Sequence, residues 1–276
     1  MSRIAARFAE LKAQGRAAFV PFITAGDPDF ETSRAILEAL PGAGADVIEL
    51  GMPFSDPMAD GPAVQASSLR ALKAGATMAR TMDLVRSFRQ RDDKTPIVLM
   101  GYYNPIHARG GDVFVREAAA AGVDGLLIVD LPPEEDAVLL KPAMAAGLDI
   151  IRLVTPTTHD ARLVKVLSGA SGYLYYVSIT GVTGTKSFAA DEVKAALARI
   201  RKASNLPIAV GFGIRTPAQA AQIARIADAA VVGSAIVSIV AQKQGAGRDA
   251  IVTAVSELCH ALADSIRAES SAKIRA

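Results

Sequence analysis

The sequence predicts an α/β protein built as a single (β/α)8 TIM barrel over residues 1–276, and three observations support this prediction. Eight short apolar runs alternate with longer segments rich in Ala, Leu, Arg and Glu, which is typical of strand–helix units around a parallel sheet. No break in composition and no long flexible linker divides the chain. Polar residues and glycines follow the apolar runs, where barrel enzymes carry their active sites. A doubly wound open sheet is the structural alternative.

Each predicted strand is a short apolar run between more polar segments. In chain order the predicted strands are Ala18–Ile23, Val47–Leu50, Ile97–Met100, Gly125–Val129, Ile150–Val154, Tyr173–Val177, Ile208–Val210 and Ala230–Val232.

Helical patterns lie between these strands. They cover Thr32–Leu40, Ala63–Leu72, Thr81–Arg91, Val113–Ala121, Glu134–Ala145, Ala161–Leu167, Asp191–Lys202 and Ala218–Ala227. Two of them fall between the second and third strands, which predicts an extra helix there. Residues 1–15 predict another extra helix at the N-terminus, before the first strand. The tail after Asp249 predicts a final helix, and its polar residues 269–273 are expected to fray.

Amino-acid composition narrows the kinds of protein that this sequence can encode. Hydrophobic residues make up 51% and charged residues 21%, which indicates a packed core. The net charge is +2 and the basic residues are scattered, so nucleic-acid binding is not predicted. The sequence has neither the apolar stretch of a signal peptide nor the ~18 uninterrupted apolar residues of a membrane-spanning helix. The single Cys259 cannot form an intramolecular disulfide, and we expect a cytoplasmic protein.

The most informative residue is Glu49, an acid inside the apolar run Val47–Leu50. In a strand it shares one face with Val47, while Ile48 and Leu50 share the other, so both faces are apolar. A second carboxylate, Asp60, follows within a dozen residues. A buried carboxylate pairs with a cation, shifts its pKa or does chemistry, and both a structural salt bridge and a catalytic role fit this pattern.

Glycine loops follow the last three strands at Gly181–Gly184, Gly211–Gly213 and Gly233-Ser234. One such loop usually marks only a turn, but three in register predict a phosphate site, since barrels bind phosphate there with backbone N–H groups. The small and polar residues around 181–187 suit a mobile lid, with an ordinary surface loop as the alternative.

Other candidates are weaker. The three histidines His107, His159 and His260 lack partners at metal-ligand spacing, so no metal site is predicted, and His159 fits a helix cap. Strand interiors contain no lysine, which argues against a Schiff-base or pyridoxal phosphate site on this chain. Tyr175 could direct its hydroxyl into the barrel mouth or simply pack in its strand. Asp130 could orient a substrate or cap a neighbouring element.

Several segments together resemble the tryptophan synthase α subunit family. Glu49 is followed by the ten-residue loop Pro-Phe-Ser-Asp-Pro-Met-Ala-Asp-Gly-Pro at 53–62, and Gly-Val-Thr-Gly stands at 181–184 and Gly-Phe-Gly-Ile at 211–214. Residues 21–28, 100–105 and 124–132 support the resemblance, which covers most of the chain.

The resemblance implies a lyase that cleaves indole-3-glycerol phosphate into indole and glyceraldehyde 3-phosphate by a retro-aldol step. Glu49 would shuttle the proton between indole C3 and the glycerol hydroxyl, and Asp60 would interact with the indole nitrogen. Glu49 is expected to have a raised pKa, whereas Asp60 on a polar loop is expected to stay ionised. Thr183 would reach Asp60 when the lid closes, and Tyr175 would line the site near Glu49.

The remaining site residues come from the same resemblance. The indole pocket would be formed by Phe22, Met100, Tyr102, Leu127 and Val129. The phosphate would be held by Gly184, Gly213, Gly233 and Ser234.

The family also implies an αββα complex in which indole passes to a β subunit that carries pyridoxal phosphate, with no cofactor on this chain. Pro53, Asp56, Pro57 and Asn104 would face that partner. Two other hypotheses stay open from the sequence. One is a different phosphate-binding barrel with another acid–base pair, and the other is an interaction protein whose main use is to activate a partner.

Overall fold

Nine parallel strands form one continuous hydrogen-bonded sheet in the computed structural model, which describes residues 2–178, 190–211 and 213–275. Their order in the sheet is β5-β4-β3-β2-β1-β9-β8-β7-β6. The strands are β1 (Ala18–Thr24), β2 (Ile48–Gly51), β3 (Ile97–Gly101), β4 (Gly125–Ile128), β5 (Asp149–Ile150), β6 (Arg152–Val154), β7 (Leu174–Val177), β8 (Ile208–Gly211) and β9 (Ala229–Val232).

The two edge strands β5 and β6 are parts of one barrel strand. Only Ile151 separates them, and its N–H donates to the carbonyl of Leu126 at 2.9 Å. The first part pairs with β4 and the second with β7, so the strand is divided where its pairing changes from one neighbour to the other. The sheet therefore has eight strand positions, and the predicted (β/α)8 barrel is confirmed.

Twelve helices lie in the described part of the chain. They are α1 (Arg3–Ala13), α2 (Phe30–Ala39), α3 (Pro62–Lys73), α4 (Met78–Arg89), α5 (Tyr103–Arg109), α6 (Gly111–Ala121), α7 (Ala137–Ala145), α8 (Asp160–Leu167), α9 (Ala190–Ala203), α10 (Pro217–Ala224), α11 (Ser234–Gln242) and α12 (Arg248–Arg275). Both extra helices are confirmed, as α1 and as the pair α3 and α4 between β2 and β3. The segment 269–273, where the sequence predicts fraying, is helical.

Two of these helices were not predicted. α5 begins two residues after β3 ends, and α11 begins two residues after β9 ends, so each follows its strand too closely to show as a separate apolar period. The second matters for the site, because it turns the predicted Gly233-Ser234 loop into the start of a helix. None of the described helices has the length and apolar character required to cross a membrane.

The core has two layers that follow from the alternation of side chains along each strand. Ile48 and Leu50 point outward into a large cluster between the sheet and the helices. Val47 points inward into the barrel-interior cluster, which also contains Phe8 and Tyr173. The helix α1 closes the amino end of the barrel, where the Phe8 ring lies 5.7 Å from the Tyr173 ring.

Three aspartates form a repeated contact at the amino end of the barrel. Asp124 and Asp228 come directly before β4 and β9, and Asp46 lies two residues before β2. Each accepts a hydrogen bond of 2.8 Å from the backbone N–H at the start of the preceding strand, and the donors are Phe19, Ile97 and Ile208. We refer to these three contacts as the aspartate clamps. The sequence pattern alone does not predict them.

Arginines complete the aspartate clamps. The buried carboxylate of Asp46 accepts hydrogen bonds from Arg7 at 2.6 Å and from both terminal nitrogens of Arg16 at 2.8 Å. Asp124 pairs in the same way with Arg3 at 2.8 Å and with Arg89 at 2.6 Å. Charged pairs therefore fasten the end of the barrel that lies opposite the predicted site.

Candidate active site

A cavity of about 80 Å³ opens at the carboxyl ends of the strands. Eight of the predicted site residues line it, namely Phe22, Glu49, Asp60, Met100, Tyr175, Gly213, Gly233 and Ser234. Four further lining residues were not predicted: Gly61, Val64, Ile214 and Val231. The fold thus brings both carboxylates together with Phe22, Met100 and the glycines Gly213 and Gly233.

Glu49 is an isolated acid in this cavity. Its side chain is only 1% exposed, and the hydroxyl of Tyr173 donates to its Oε1 at 2.6 Å. The other oxygen, Oε2, has no hydrogen-bond partner among the described residues, and no ion pair of Glu49 is found there either. Burial raises the pKa of Glu49 to about 7, an effect larger than the opposing effect of the Tyr173 hydrogen bond.

The unpaired state of Glu49 bears on the two hypotheses drawn from the sequence, a structural salt bridge and a catalytic role. A structural salt bridge needs a cation within reach, and the described residues supply none. A proton-transfer group needs a pKa near the working pH and one oxygen free to meet a substrate. Glu49 has both properties, and its raised pKa was expected.

Asp60 lies at the end of the loop between β2 and α3 and faces the same cavity. Burial raises its pKa to about 6, and a hydrogen bond with Tyr102 opposes this rise. The surroundings of Asp60 are therefore less polar than its loop sequence suggests. The carboxylate is still mostly ionised at neutral pH, since its pKa lies below 7.

Tyr175 lies near both carboxylates. Its ring lines the cavity, and its pKa is raised well above the ordinary value by burial and by the nearby charges of Glu49 and Asp60. The sequence left open whether Tyr175 faces the barrel mouth or packs in its strand. The cavity lining shows that it faces the mouth.

Glycines at the strand ends make room for the rings of the cavity. A Cβ on Gly211 would lie 2.0 Å from the Tyr175 hydroxyl oxygen, and a Cβ on Gly51 would lie 2.6 Å from Cζ of Phe22. Gly233 is also close, because a Cβ there would lie 3.2 Å from Cδ1 of Phe22. Only glycine lets both aromatic rings occupy their observed positions.

The far end of the cavity is a helix N-terminus. Gly233 is the N-cap of α11, and Ser234 is its first residue. The N–H groups in the first turn of a helix point away from it without helical partners, and together with the helix dipole they favour an anion. Gly213, with φ of +81°, lies beside them in a conformation that suits glycine. A phosphate fits this end by its charge.

A larger cavity of about 360 Å³ lies at the opposite end of the barrel. Its charged residues include Arg16 and Arg201, which are paired with Asp46 and Asp228. Barrel enzymes place their chemistry at the carboxyl ends of the strands, so size alone does not make this cavity the active site.

Comparison with known proteins agrees with this geometry. The profile of the family described as "Tryptophan synthase alpha chain" matches residues 8–267. The chain belongs to this family. A tryptophan synthase alpha chain from Legionella pneumophila subsp. pneumophila has 39% identity and a TM-score of 0.89, with 97% of this chain and 98% of that chain covered.

Two further solved structures extend the comparison. Tryptophan synthase subunit alpha from Legionella pneumophila str. Paris has 40% identity and a TM-score of 0.90, with 97% of this chain and 99% of that chain covered. A chain of tryptophan synthase from Mycobacterium tuberculosis has 33% identity and a TM-score of 0.86, with coverage of 97% and 99%. The likeness to tryptophan synthase alpha chains therefore spans nearly the whole length.

Some residues expected from the alpha chain resemblance lie elsewhere than in the described cavity lining. Leu127 is fully buried in the barrel-interior cluster, and Val129 packs against that cluster. Tyr102 contacts the loop that carries Asp60, because its hydroxyl accepts a hydrogen bond from the Ala59 N–H at 3.0 Å. Thr183 and Gly184 lie outside the described residues.

The residues expected to face the partner of an alpha chain differ in exposure. Asp56 and Asn104 are exposed, Pro53 is half-buried and Pro57 is buried. Pro57 therefore offers little surface of its own, and its neighbour Met58 offers more, with 83% of its surface exposed.

Asp130 and the histidines have local roles. The Asp130 carboxylate accepts a hydrogen bond from the Tyr103 N–H at 2.7 Å, which caps the start of α5. His159 caps α8, as its Nδ1 accepts from the Arg162 N–H at 3.2 Å. Among the described residues, no cluster of three or more His, Cys, Asp or Glu could hold a metal ion.

Tyr173 is the most important site residue that sequence reasoning missed. It lies two residues before Tyr175, so both side chains point to the interior of the barrel. That alternation was a usable signal. The partner of its hydroxyl was not predictable, since Glu49 is 124 positions away in the chain.

Proposed function

We propose that this chain is an active tryptophan synthase α subunit that cleaves indole-3-glycerol phosphate into indole and glyceraldehyde 3-phosphate. The observation that supports this most is the unpaired Glu49, which faces Asp60 across a cavity ending at a helix N-terminus. This arrangement offers two separate carboxylates for a substrate whose far end is a phosphate. Family membership supplies the substrate class.

The reaction needs two proton movements around one breaking bond. In our proposal the protonated Glu49 gives its proton to indole C3. The C3–glycerol carbon bond then breaks as the neighbouring glycerol hydroxyl loses its proton and becomes the aldehyde, and the Glu49 carboxylate receives that proton. A group with a pKa of about 7 can serve as both acid and base near neutral pH.

Asp60 has the complementary role. Protonation of C3 places positive charge on the indole N–H, and an ionised carboxylate beside that nitrogen stabilises it. The pKa of Asp60 is about 6, so the carboxylate is mostly charged where Glu49 is half protonated. The two environments separate the roles of two chemically similar acids.

The phosphate end of the substrate is proposed to bind at the glycines that follow the last strands. The first N–H groups of α11, with Gly213 and the Ser234 hydroxyl, are proposed to bind the phosphate. Phe22 and Met100 are proposed to contact the indole ring. Thr183 and Gly184 keep the roles expected from the resemblance, as a lid contact to Asp60 and a phosphate ligand.

The partner remains part of the proposal. The exposed Asp56 and Met58 lie on the loop after β2, and the exposed Asn104 lies at the start of α5, just after β3. These positions are at the same end of the barrel as the cavity, so a β subunit bound there would receive indole over a short path. Pyridoxal phosphate is expected on that β subunit, and this chain carries out its own step with carboxylates alone.

The experiment measures indole release from indole-3-glycerol phosphate by the purified chain, alone and with a tryptophan synthase β subunit. We expect indole in both cases and faster release in the complex. If no indole forms even with the β subunit present, the lyase proposal is wrong and a different phosphate-binding barrel is favoured. Glyceraldehyde 3-phosphate is measured in parallel as the second product.

A further inference from the structure

The loop that carries Asp60 has little internal structure. Between the end of β2 at Gly51 and the start of α3 at Pro62 there is no regular helix or strand, and Ser55, Asp56 and Ala59 are exposed. Within the loop, the Asp60 N–H donates to the Pro57 carbonyl at 3.0 Å and closes a tight turn. A second backbone hydrogen bond in the loop, from the Met58 N–H to the Asp56 carbonyl at 2.9 Å, spans only two residues. The position of the carboxylate therefore also depends on contacts from outside the loop.

Two side chains from outside hold this turn. The amide nitrogen of Gln65, on the first turns of α3, donates to the Asp60 carbonyl at 2.9 Å and to the Pro57 carbonyl at 3.4 Å. The hydroxyl of Tyr102, a residue that follows β3, accepts from the Ala59 N–H at 3.0 Å. The two contacts fix the backbone on both sides of the reactive residue.

We infer that Gln65 is a positioning residue for Asp60, acting through the backbone of the turn 57–60. The inference rests on the proposed function, because it concerns the site that cleaves the substrate. Gln65 is not one of the residues that line the cavity, and no described contact joins its side chain to the Asp60 carboxylate. Its effect on the reaction is therefore indirect.

The chemistry of the side chain explains why glutamine suits this position. A carboxamide NH2 group carries two hydrogens, so it can donate to two carbonyl oxygens three residues apart. An ionised glutamate of the same shape has only acceptors. It would repel both carbonyls and place a second negative charge near Asp60.

The helix that carries Gln65 is itself fixed to the barrel. Ser67 and Thr24 share a hydrogen bond of 2.6 Å between their hydroxyl oxygens. Arg70 forms two hydrogen bonds of 2.8 Å with the carboxylate of Asp27, in the loop after β1. α3 is thus tied to the first strand at two successive turns, and Gln65 presents its amide from a rigid base.

The expected effect on catalysis is mainly on kcat. A displacement of a reacting group by about 1 Å can cost up to about a hundredfold in rate, even when the substrate still binds. For Gln65→Met, which keeps the length of the side chain and removes both donors, we expect kcat to fall by about ten- to a hundredfold. KM should change less than about threefold, since the phosphate end of the site is untouched.

The test compares the wild-type protein with Gln65→Met, Gln65→Glu and the control Gln222→Met, each in complex with a β subunit. Gln222 is exposed on α10, and its side chain makes no hydrogen bond among the described contacts. The assays are kcat and KM for indole release, the pH–rate profile, and hydrogen exchange of the Met58 and Asp60 amides without substrate.

We expect faster exchange of the Asp60 amide in both Gln65 variants and no change in Gln222→Met. In Gln65→Glu the acid limb of the pH–rate profile should also move to higher pH, because the added charge raises the pKa of Asp60. A residue with only a structural role would lower thermal stability and leave the kcat of the folded enzyme and the acid limb unchanged.

The results separate this inference from the proposed function. If the wild-type enzyme forms indole and Gln65→Met has normal kcat, the inference is wrong and the proposed function stands. If the wild-type enzyme forms no indole, the proposed function fails, and exchange at Asp60 still reports whether Gln65 holds the turn. Unchanged exchange in both Gln65 variants overturns the inference in either case.

Discussion

The substitution Glu49→Gln tests both the energetics and the chemistry of the site. The amide has nearly the same shape as the acid and its oxygen can still accept the Tyr173 hydrogen bond. It cannot carry a negative charge or pass a proton to the substrate. Any large change in stability or rate is therefore due to ionisation and not to packing.

The change in stability follows from the pKa of Glu49. The pKa of Glu49 rises from an ordinary 4.5 to about 7 in the folded protein. Ionising this acid therefore costs more free energy in the folded protein than in the unfolded chain, by about 1.36 kcal/mol for each unit by which the pKa is raised. The folded state loses about 3 kcal/mol as pH rises from below 4.5 to above 7. Glu49→Gln should remove this loss.

Urea unfolding at pH 5 and pH 8 measures the effect. At pH 8 we expect Glu49→Gln to be more stable than the wild-type protein by about 3 kcal/mol, and at pH 5 by less than about 1 kcal/mol. The matched control is Glu257→Gln, an exposed acid on α12, which should change the free energy of unfolding by less than about 0.5 kcal/mol at either pH.

The same variant should lose indole formation by at least about a hundredfold, the range expected when a general acid–base group is removed. Equal pH dependence of unfolding in the variant and the wild-type protein would refute the energetic reasoning. Indole formation at the wild-type rate would refute the acid–base role and favour a protein that mainly activates a partner.

Three further predictions concern other residues. Tyr173→Phe removes the hydrogen bond that lowers the pKa of Glu49, so the limb of the pH–rate profile governed by Glu49 should move up by about one pH unit. Gly211→Ala puts a Cβ 2.0 Å from the Tyr175 hydroxyl oxygen, so indole formation should fall more than about tenfold while circular dichroism stays that of a folded barrel. Asp46→Asn uncouples a buried carboxylate from its arginines and should lower the free energy of unfolding by about 3 kcal/mol in urea.

Matched controls separate these effects from general damage. Tyr176→Phe alters a tyrosine three positions further along the chain, which packs in the outer cluster, and should leave the pH–rate profile unchanged. Gly42→Ala meets no atom closer than 3.5 Å and should keep full activity. Asp83→Asn removes an exposed ion pair and should cost less than about 1 kcal/mol. Each prediction is contradicted if its variant behaves like its control.

The strands were predictable because a barrel strand carries its own signal. Each of the eight predicted runs agrees with the structure to within one residue at both ends. A short apolar run between polar segments is buried most readily as a strand of the sheet, so its ends are marked in the sequence. Helix α11 was harder, as its sequence Ser-Ala-Ile-Val-Ser-Ile-Val-Ala-Gln is rich in β-branched residues and follows β9 almost without a break.

The site was predictable where it depends on position along a strand and less so where it depends on contacts across the barrel. Glu49 stood out because an acid in an apolar run is costly wherever the run folds. The surroundings of Asp60 were judged from its polar neighbours, yet burial by other elements raises its pKa to about 6. Tyr173 and Gln65 act on atoms whose location only the folded chain reveals.

The aspartate clamps bear on how the barrel assembles. Each joins two strands that are consecutive in the chain, across 27, 27 and 20 residues. Contacts over such short distances cost little loop entropy, so they can form before the ends of the chain meet. The same contacts therefore favour a barrel that assembles from strand–helix–strand units, and an Asp46→Asn protein should refold more slowly in stopped-flow experiments. If Asp46→Asn only speeds unfolding and leaves the refolding rate unchanged, the Asp46 clamp forms after the transition state for folding.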